Sequence, residues 1–379
     1  GKVENGGKEL NANSFFVILV DEGEAHFQFI CADQGCIACR NPLLAPCLKN
    51  VFLYKPAVLC YNAGMITSFS HVISEVQKSQ APPIAVAGAE DPHVLESICA
   101  AKDSEIMDAI LVGNGEKIKA GLQHIDMRGA NLQHAGRRPS EFRIEHVDGE
   151  PAAVAERTVQ LVLEGEAGSI MKGFMDTSVL LKAVLAREEL KTGRFMSVLG
   201  IIESPHYNKL LFLTDSGFIP RPTLEQKIDL IKNGVDLVEK LGGKIPKVGV
   251  VCAVEKVNDK MPDTLDAAEL ARLNQQGDIT GCIVEGPLGF DNAVSAEAAA
   301  HKGVQGQVPG DADILLFPDL VSANSVYKTF GFLTDSKTAG YLAGAQVPII
   351  ITSRADSVET KLNSLAMVAL ASKATSTRS

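Results

Sequence analysis

From residue 65 onward the chain alternates short, dense apolar runs with segments whose apolar positions recur every three or four residues. The dense runs at 84–87, 109–112, 197–202, 209–214, 248–253, 281–284 and 313–317 predict strands buried on both faces, as parallel sheets require. The periodic segments at 69–78, 93–102, 151–164, 177–186, 224–241, 265–275 and 295–301 predict helices, with proline and glycine punctuating the short gaps. Repeated βα units of this kind imply an α/β fold around a largely parallel sheet. The last unit is the most informative. Val347-Pro348-Ile349-Ile350-Ile351-Thr352 reads as a buried strand and runs directly into Ser353-Arg354-Ala355-Asp356-Ser357. The helical pattern Val358, Leu362, Leu365, Ala366, Ala369 follows, with Asp356 or Ser357 suited to cap it. A hydroxyl, a guanidinium and a carboxylate thus fall between a strand end and a helix start. That position favours anions and is where open α/β sheets bind ligands. The plainer alternative is a capped turn whose arginine pairs with a surface carboxylate.

Before residue 65 the pattern is irregular, with short β-like runs such as those at 15–20 and 50–54. Residues 1–64 read as an extension of unknown role, either non-native or a misread start with Met65 the candidate initiator, or as a small folded module. Of the eight cysteines, Cys31, Cys36, Cys39, Cys47 and Cys60 lie there. Cys36 and Cys39 form one CxxC, but no second pair or histidine pair completes a zinc set and His26 is the only nearby imidazole, so no metal is expected. Cys99, Cys252 and Cys282 sit in apolar settings, as reduced buried thiols do. A net charge of −10 argues against nucleic acid or an anionic membrane as partner, while leaving room for a small anionic substrate in a cleft. The 379 residues contain no apolar run approaching the ~20 needed to span a bilayer and no secretory pattern, so a cytoplasmic setting is expected.

Other strand-to-helix junctions carry polar residues. Val112-Gly113-Asn114-Gly115 lacks the third glycine of a dinucleotide fingerprint and reads as a turn. Gly168 to Gly173 is a short strand ending in a glycine turn that carries Lys172, and Thr177 opens the helix behind it. Gly286-Pro287-Leu288-Gly289-Phe290-Asp291 and Phe317-Pro318-Asp319-Leu320 each follow a strand, and Asn324 and Lys328 share one helix face. Taken singly, each is as well explained by a capped turn or a solvated lysine.

Together, these segments resemble the phosphate acetyl/butyryltransferase family, and its butyryltransferase branch more than its acetyl branch. The likeness rests on Gly286 to Asp291, Gly310-Asp311-Ala312-Asp313 through Asp319-Leu320, Asn324 with Tyr327-Lys328, Thr352-Ser353-Arg354-Ala355-Asp356-Ser357, Met171-Lys172-Gly173 with Thr177, and Leu181 to Leu185. It covers about 65–373 in order. The resemblance implies exchange of a short acyl group between coenzyme A and orthophosphate, with CoA a substrate and no metal or redox cofactor. It also implies a two-domain fold like the isocitrate and isopropylmalate dehydrogenases, mainly parallel sheets around an interdomain cleft, in a homodimer or higher homo-oligomer. One domain would comprise 65–194 plus 325–379 and the other 195–324. By the same resemblance Ser353, Arg354 and Asp356 are catalytic, and Lys172, Thr177, Lys182, Asn324, Lys328 and Asp291 bind substrate.

The residue types suit the chemistry. Arg354 can clamp phosphate through paired charge-assisted bonds, and lysines can stabilise developing negative charge. No histidine stands near Ser353 and no Gly-x-Ser-x-Gly elbow occurs, which argues against a serine hydrolase. Two positions depart from the acetyl branch. Its candidate basic aspartate, seven residues after the serine, is Thr360 here, leaving Asp356 or Glu359 for that role; Lys182 stands where that branch has an arginine. Phosphate acetyltransferase is the alternative activity, and an NAD-dependent dehydrogenase of related architecture is a more distant one.

Overall fold

The computed structural model describes residues 14–21, 24–31, 65–78, 80–130, 142–351 and 355–376. Contacts divide the chain into two units, Gly1–Ala63 and Gly64–Ser379. In the first, β1 (Ser14–Asp21) and β2 (Glu24–Cys31) pair antiparallel, with Ser14 opposite Cys31. The run at 50–54 and the pair Cys36 and Cys39 lie outside the described residues.

The second unit opens with α1 (Phe69–Gln77), β3 (Ile84–Ala87), α2 (Pro92–Asp103), β4 (Ala109–Gly113), α3 (Gly115–Ala130), β5 (Arg143–His146), α4 (Pro151–Leu163), β6 (Ser169–Lys172) and α5 (Thr177–Leu185). It continues through β7 (Ser197–Glu203), β8 (Leu211–Thr214), α6 (Leu224–Lys240), β9 (Lys247–Val251), α7 (Pro262–Gln276), β10 (Ile283–Leu288), α8 (Phe290–Val294), α9 (Ala296–His301), β11 (Ile314–Leu316) and α10 (Leu320–Leu333). It closes with β12 (Lys337–Ala343), β13 (Ile349–Ile351) and α11 (Val358–Ser376). The described strands of this unit form one 11-stranded sheet in the order β10-β9-β11-β8-β7-β12-β13-β6-β3-β4-β5. Helix starts follow the local chemistry. Asp91 accepts from Val94 N–H ahead of Pro92, and Thr223 and Gln226 form a capping box on α6.

Most neighbours are parallel, but β12 runs antiparallel to both β7 and β13, and β7 antiparallel to β8. Strand direction therefore reverses within the sheet. The carboxyl ends of β3, β4, β6 and β13 lie on one margin, and those of β8, β9, β10 and β11 on the opposite one. Three elements exceed the sequence expectation: α3, β5 and β12. In β12, Lys-Thr-Ala-Gly is a poor strand former by propensity, and pairing on both sides decides the outcome.

The two faces differ. On one, alternate strand residues such as Val86, Met171, Ile201, Phe212 and Ile314 join α1, α2, α6, α7 and α11 in one continuous core. On the other, Ala85, Ile170, Ile349 and Leu342 pack under α4 and α5, while Ile202, Leu213 and Leu315 pack with Ala293 of α8 and Ala323 of α10 in a separate core. The boundary between these two cores falls along β7 and β12, over which α10 packs.

Candidate functional site

Parallel register sets three strand ends side by side, with Lys172 opposite both Ile351 of β13 and Ala87 of β3. Lys172 is buried, and its Nζ donates to the carbonyls of Gly173 (3.3 Å) and Met175 (3.2 Å). Gly173 has to be glycine, because a Cβ there would stand 2.2 Å from the Gly88 carbonyl oxygen. That close approach lets Gly173 N–H donate to Ala87 (2.8 Å) and Phe174 N–H to Gly88 (2.7 Å). Phe174 is left 62% exposed beside a cavity of about 380 Å³ lined by Gly88, Glu90, Lys117, Phe174 and Met175. Thr177 is half-buried in the first turn of α5, whose N-cap Asp176 makes no side-chain cap bond; Lys182 is exposed further along.

Thr352, Ser353 and Arg354 lie outside the described residues. Immediately after them, Asp356 receives Lys328 Nζ at 3.2 Å, with side chains 12% and 33% exposed respectively. Its backbone carbonyl accepts from Lys361 Nζ at 2.6 Å. Ser357 is the residue that caps α11, its hydroxyl accepting from Thr360 N–H at 3.0 Å. Thr360 is enclosed among hydroxyls, 3.1 Å from Thr338 Oγ1 and 3.0 Å from Ser357 Oγ. The two candidate bases separate accordingly, since Glu359 pairs with Lys337 at 3.6 Å and only Asp356 faces α10.

On α10, Lys328 lies 5.4 Å from the Tyr327 ring centroid and 5.7 Å from that of Phe332. Tyr327 itself covers Gly200 of β7, where a Cβ would meet its Cδ2 at 2.6 Å. Burial, reinforced by the nearby Asp356 charge, pushes the Tyr327 phenol well above its ordinary range, so it stays protonated. One turn earlier, Asn324 Nδ2 donates to the Ser216 carbonyl at 2.9 Å, just past the end of β8. Helix α10 thus begins at the β11 margin and carries Lys328 toward the β13 margin.

Asp291 does not join this group in the described contacts. It follows β10 on the opposite margin, where Lys302 Nζ lies 3.0 Å away and bridges to Glu255 at 2.7 Å. The Lys302 bond holds the Asp291 carboxyl below its ordinary range. The structure thus brings Lys328 to Asp356, and Lys172 to the strand end that precedes residues 352–354. Gly200 and Gly340 were not singled out from sequence, and Tyr327 entered only as part of the motif with Asn324 and Lys328. For Gly200 the available signal was a glycine at the centre of the apolar run at 197–202, which marks close approach by another group.

Lys172 at the end of β6, and Lys328 of α10 meeting the half-buried Asp356 past the end of β13, make a candidate site for an anionic substrate in an α/β fold of the transferase kind. The family described as phosphate acetyl/butaryl transferase matches residues 68–369, and the chain belongs to it. The chain is 43% identical over 307 residues to the phosphate butyryltransferase of Clostridium acetobutylicum, covering 81% of this chain and 98% of that protein. It is 39% identical over 303 residues to the phosphate acetyltransferase of Thermotoga maritima, covering 80% and 99%. Among solved structures, a branched-chain phosphotransacylase from Enterococcus faecalis V583 superposes with a TM-score of 0.65 at 30% identity, covering 76% of this chain and 99% of that one.

Proposed function

We propose that this chain is a phosphotransacylase catalysing acyl-CoA + phosphate ⇌ acyl phosphate + CoA, with butyryl the favoured acyl group and acetyl the alternative. The observation that carries the reading is the meeting of Lys328 with Asp356 beside residues 352–354, in a chain of this family. A phosphate oxygen attacks the thioester carbonyl, the tetrahedral oxyanion collapses, and the C–S bond breaks. The departing sulfur ends as the CoA thiol after taking up a proton. Arg354 holds the phosphate, Ser353 donates to the oxyanion or sulfur without forming an acyl-enzyme, and Asp356 handles the proton. Lys328 and Lys172 supply positive charge, with Thr177 and Asn324 positioning substrate around them and Lys182 meeting phosphate groups of CoA. Asp291 takes part from the second lobe, although its ion pair with Lys302 leaves it the least supported member of the set. Negative charge is met throughout by protein cations and hydrogen bonds, so the reading calls for no metal or redox cofactor.

The split core of one sheet face supports two lobes around a cleft, 65–194 plus 325–379 and 195–324, in the manner of the isocitrate and isopropylmalate dehydrogenases. A cytoplasmic homodimer or higher homo-oligomer belongs to the same reading. Among the described residues no helix is long and apolar enough to cross a membrane. The test is thiol release from acetyl-, propionyl-, butyryl- and isobutyryl-CoA with and without phosphate, repeated on Arg354→Ala. Phosphate-dependent release that falls ~100-fold or more in the variant is expected. Release that ignores phosphate sinks the reaction, and near-normal turnover in the variant sinks the role of Arg354.

A further inference from the structure

Lys227 on α6 and Lys361 on α11 are both almost fully buried, at 3% and 2% exposed. Lys227 is neutralised by Asp266, 2.6 Å away. Lys361 makes no ion pair among the described residues, and its Nζ donates instead to the main-chain carbonyl of Asp356 at 2.6 Å. Taking an ammonium out of water without a counter-charge is costly. Placing it near the start of a helix, against the macrodipole, adds to that cost. A methionine could fill the same space without either cost, so the charge calls for a reason.

Its position supplies one. Ser357 caps α11, so Asp356 stands one residue before the cap and Lys361 is the fourth residue of the helix. Helices often pack two apolar side chains from these two positions, which fixes the angle at which the chain enters. Here a bond from side chain to main chain takes that place. The Asp356 carboxylate is left to face α10, where Lys328 Nζ lies 3.2 Å away. The turn that carries Lys361 is itself fastened to β12. Thr360 Oγ1 lies 3.1 Å from Thr338 Oγ1, Asn363 Nδ2 donates to the Thr338 carbonyl at 3.4 Å, and Ser364 Oγ accepts from Gly340 N–H at 2.9 Å.

We propose that Lys361 is a positioning residue, whose ammonium fixes the main chain at Asp356 and thereby aims that carboxylate at Lys328. The inference rests on the phosphotransacylase reading, with Asp356 as the group that handles the proton, and deepens it. Lys361 touches no reacting atom and acts through Asp356 alone. Without the ammonium, the chain entering α11 can pivot about its Ser357 cap, and the carboxylate loses its bearing.

The experiment is Lys361→Met in the full chain, alone and combined with Asp356→Asn, assayed by phosphate-dependent thiol release from butyryl-CoA with urea midpoints in parallel. Misplacement of a catalytic group by about 1 Å should lower kcat on the order of 100-fold, while KM stays within about threefold. In the Asp356→Asn background the same substitution should cost almost nothing more, because its effect passes through that carboxylate. The urea midpoint should hold or rise, since methionine replaces a buried charge. A kcat within a few-fold of wild type, a loss confined to KM, or a loss of equal size in the Asp356→Asn background overturns the positioning role and leaves the reaction standing. Lys361→Gln takes the same measurements should the methionine variant not fold. If neither folds by circular dichroism, Lys361 is purely structural and the inference fails. A wild-type protein inert toward every thioester removes the reaction, and an Asp356→Asn enzyme of wild-type activity removes the role of Asp356; either takes this inference with it.

Discussion

Replacing Lys328 with methionine removes one ammonium but keeps an apolar stem over Tyr327 and Phe332. At 3.2 Å from Asp356 Oδ1 the gross attraction is about 5 kcal/mol at an effective dielectric constant near 20. Desolvation offsets most of it, and because Lys328 is 33% exposed, solvent screening lowers it further. A net coupling of about 1–2 kcal/mol to Asp356 is therefore expected, within the range for contacting charged pairs. For catalysis the relevant quantity is the lost stabilisation of the oxyanion, worth ~100-fold in kcat for one preorganised donor. The assay is a double-mutant cycle. Lys328→Met, Asp356→Asn and the double variant are compared by phosphate-dependent thiol release, with urea midpoints measured in parallel. If the two residues act as a unit, the double variant loses far less than the product of the single losses, and its stability lies above the sum of the two single effects. Strictly multiplicative losses, or a Lys328→Met enzyme within a few-fold of wild type, would refute the idea that α10 delivers this cation to the strand-end site.

Gly200→Ala places a methyl group 2.6 Å from Tyr327 Cδ2 and should destabilise the fold by about 1–3 kcal/mol, read as a lowered urea midpoint; an unchanged midpoint would mean that Tyr327 is free to move away. Burial, aided by Asp263 and Glu239 respectively, pushes the Cys252 and Cys282 thiols up to about 11. Their folded values exceed the unfolded value of about 8.5, so the stability they contribute is complete below that pH and is lost as pH rises toward 11. A Cys252→Ala, Cys282→Ala protein should therefore show a flatter alkaline decline in urea midpoint than wild type, and both native thiols should alkylate far more slowly at pH 8 than a free cysteine. Alkylation at the free-thiol rate would contradict their burial.

The amino-acid order determined the strands and helices wherever an apolar period was long or strongly bounded. The run Ile349–Ile351, the helix after it and a cap at Asp356 or Ser357 were legible, because turn, cap and core residues act within a few positions of one another, and the structure chose Ser357. The motif around residues 352–357 likewise disclosed the family before any distance was known. Strand direction was not legible. The candidate segments follow strands, yet β10 and β11 end on the margin opposite β6 and β13, because three successive antiparallel pairings, β8 with β7, β7 with β12 and β12 with β13, lie between them. Strand β12 is weak by propensity, and pairing on both its sides produces it. Asp356 rather than Glu359 faces Lys328 of α10, and β13 takes β6 as its parallel neighbour. Such partnerships join elements far apart in the chain, and only the packed sheet fixes the distances between them.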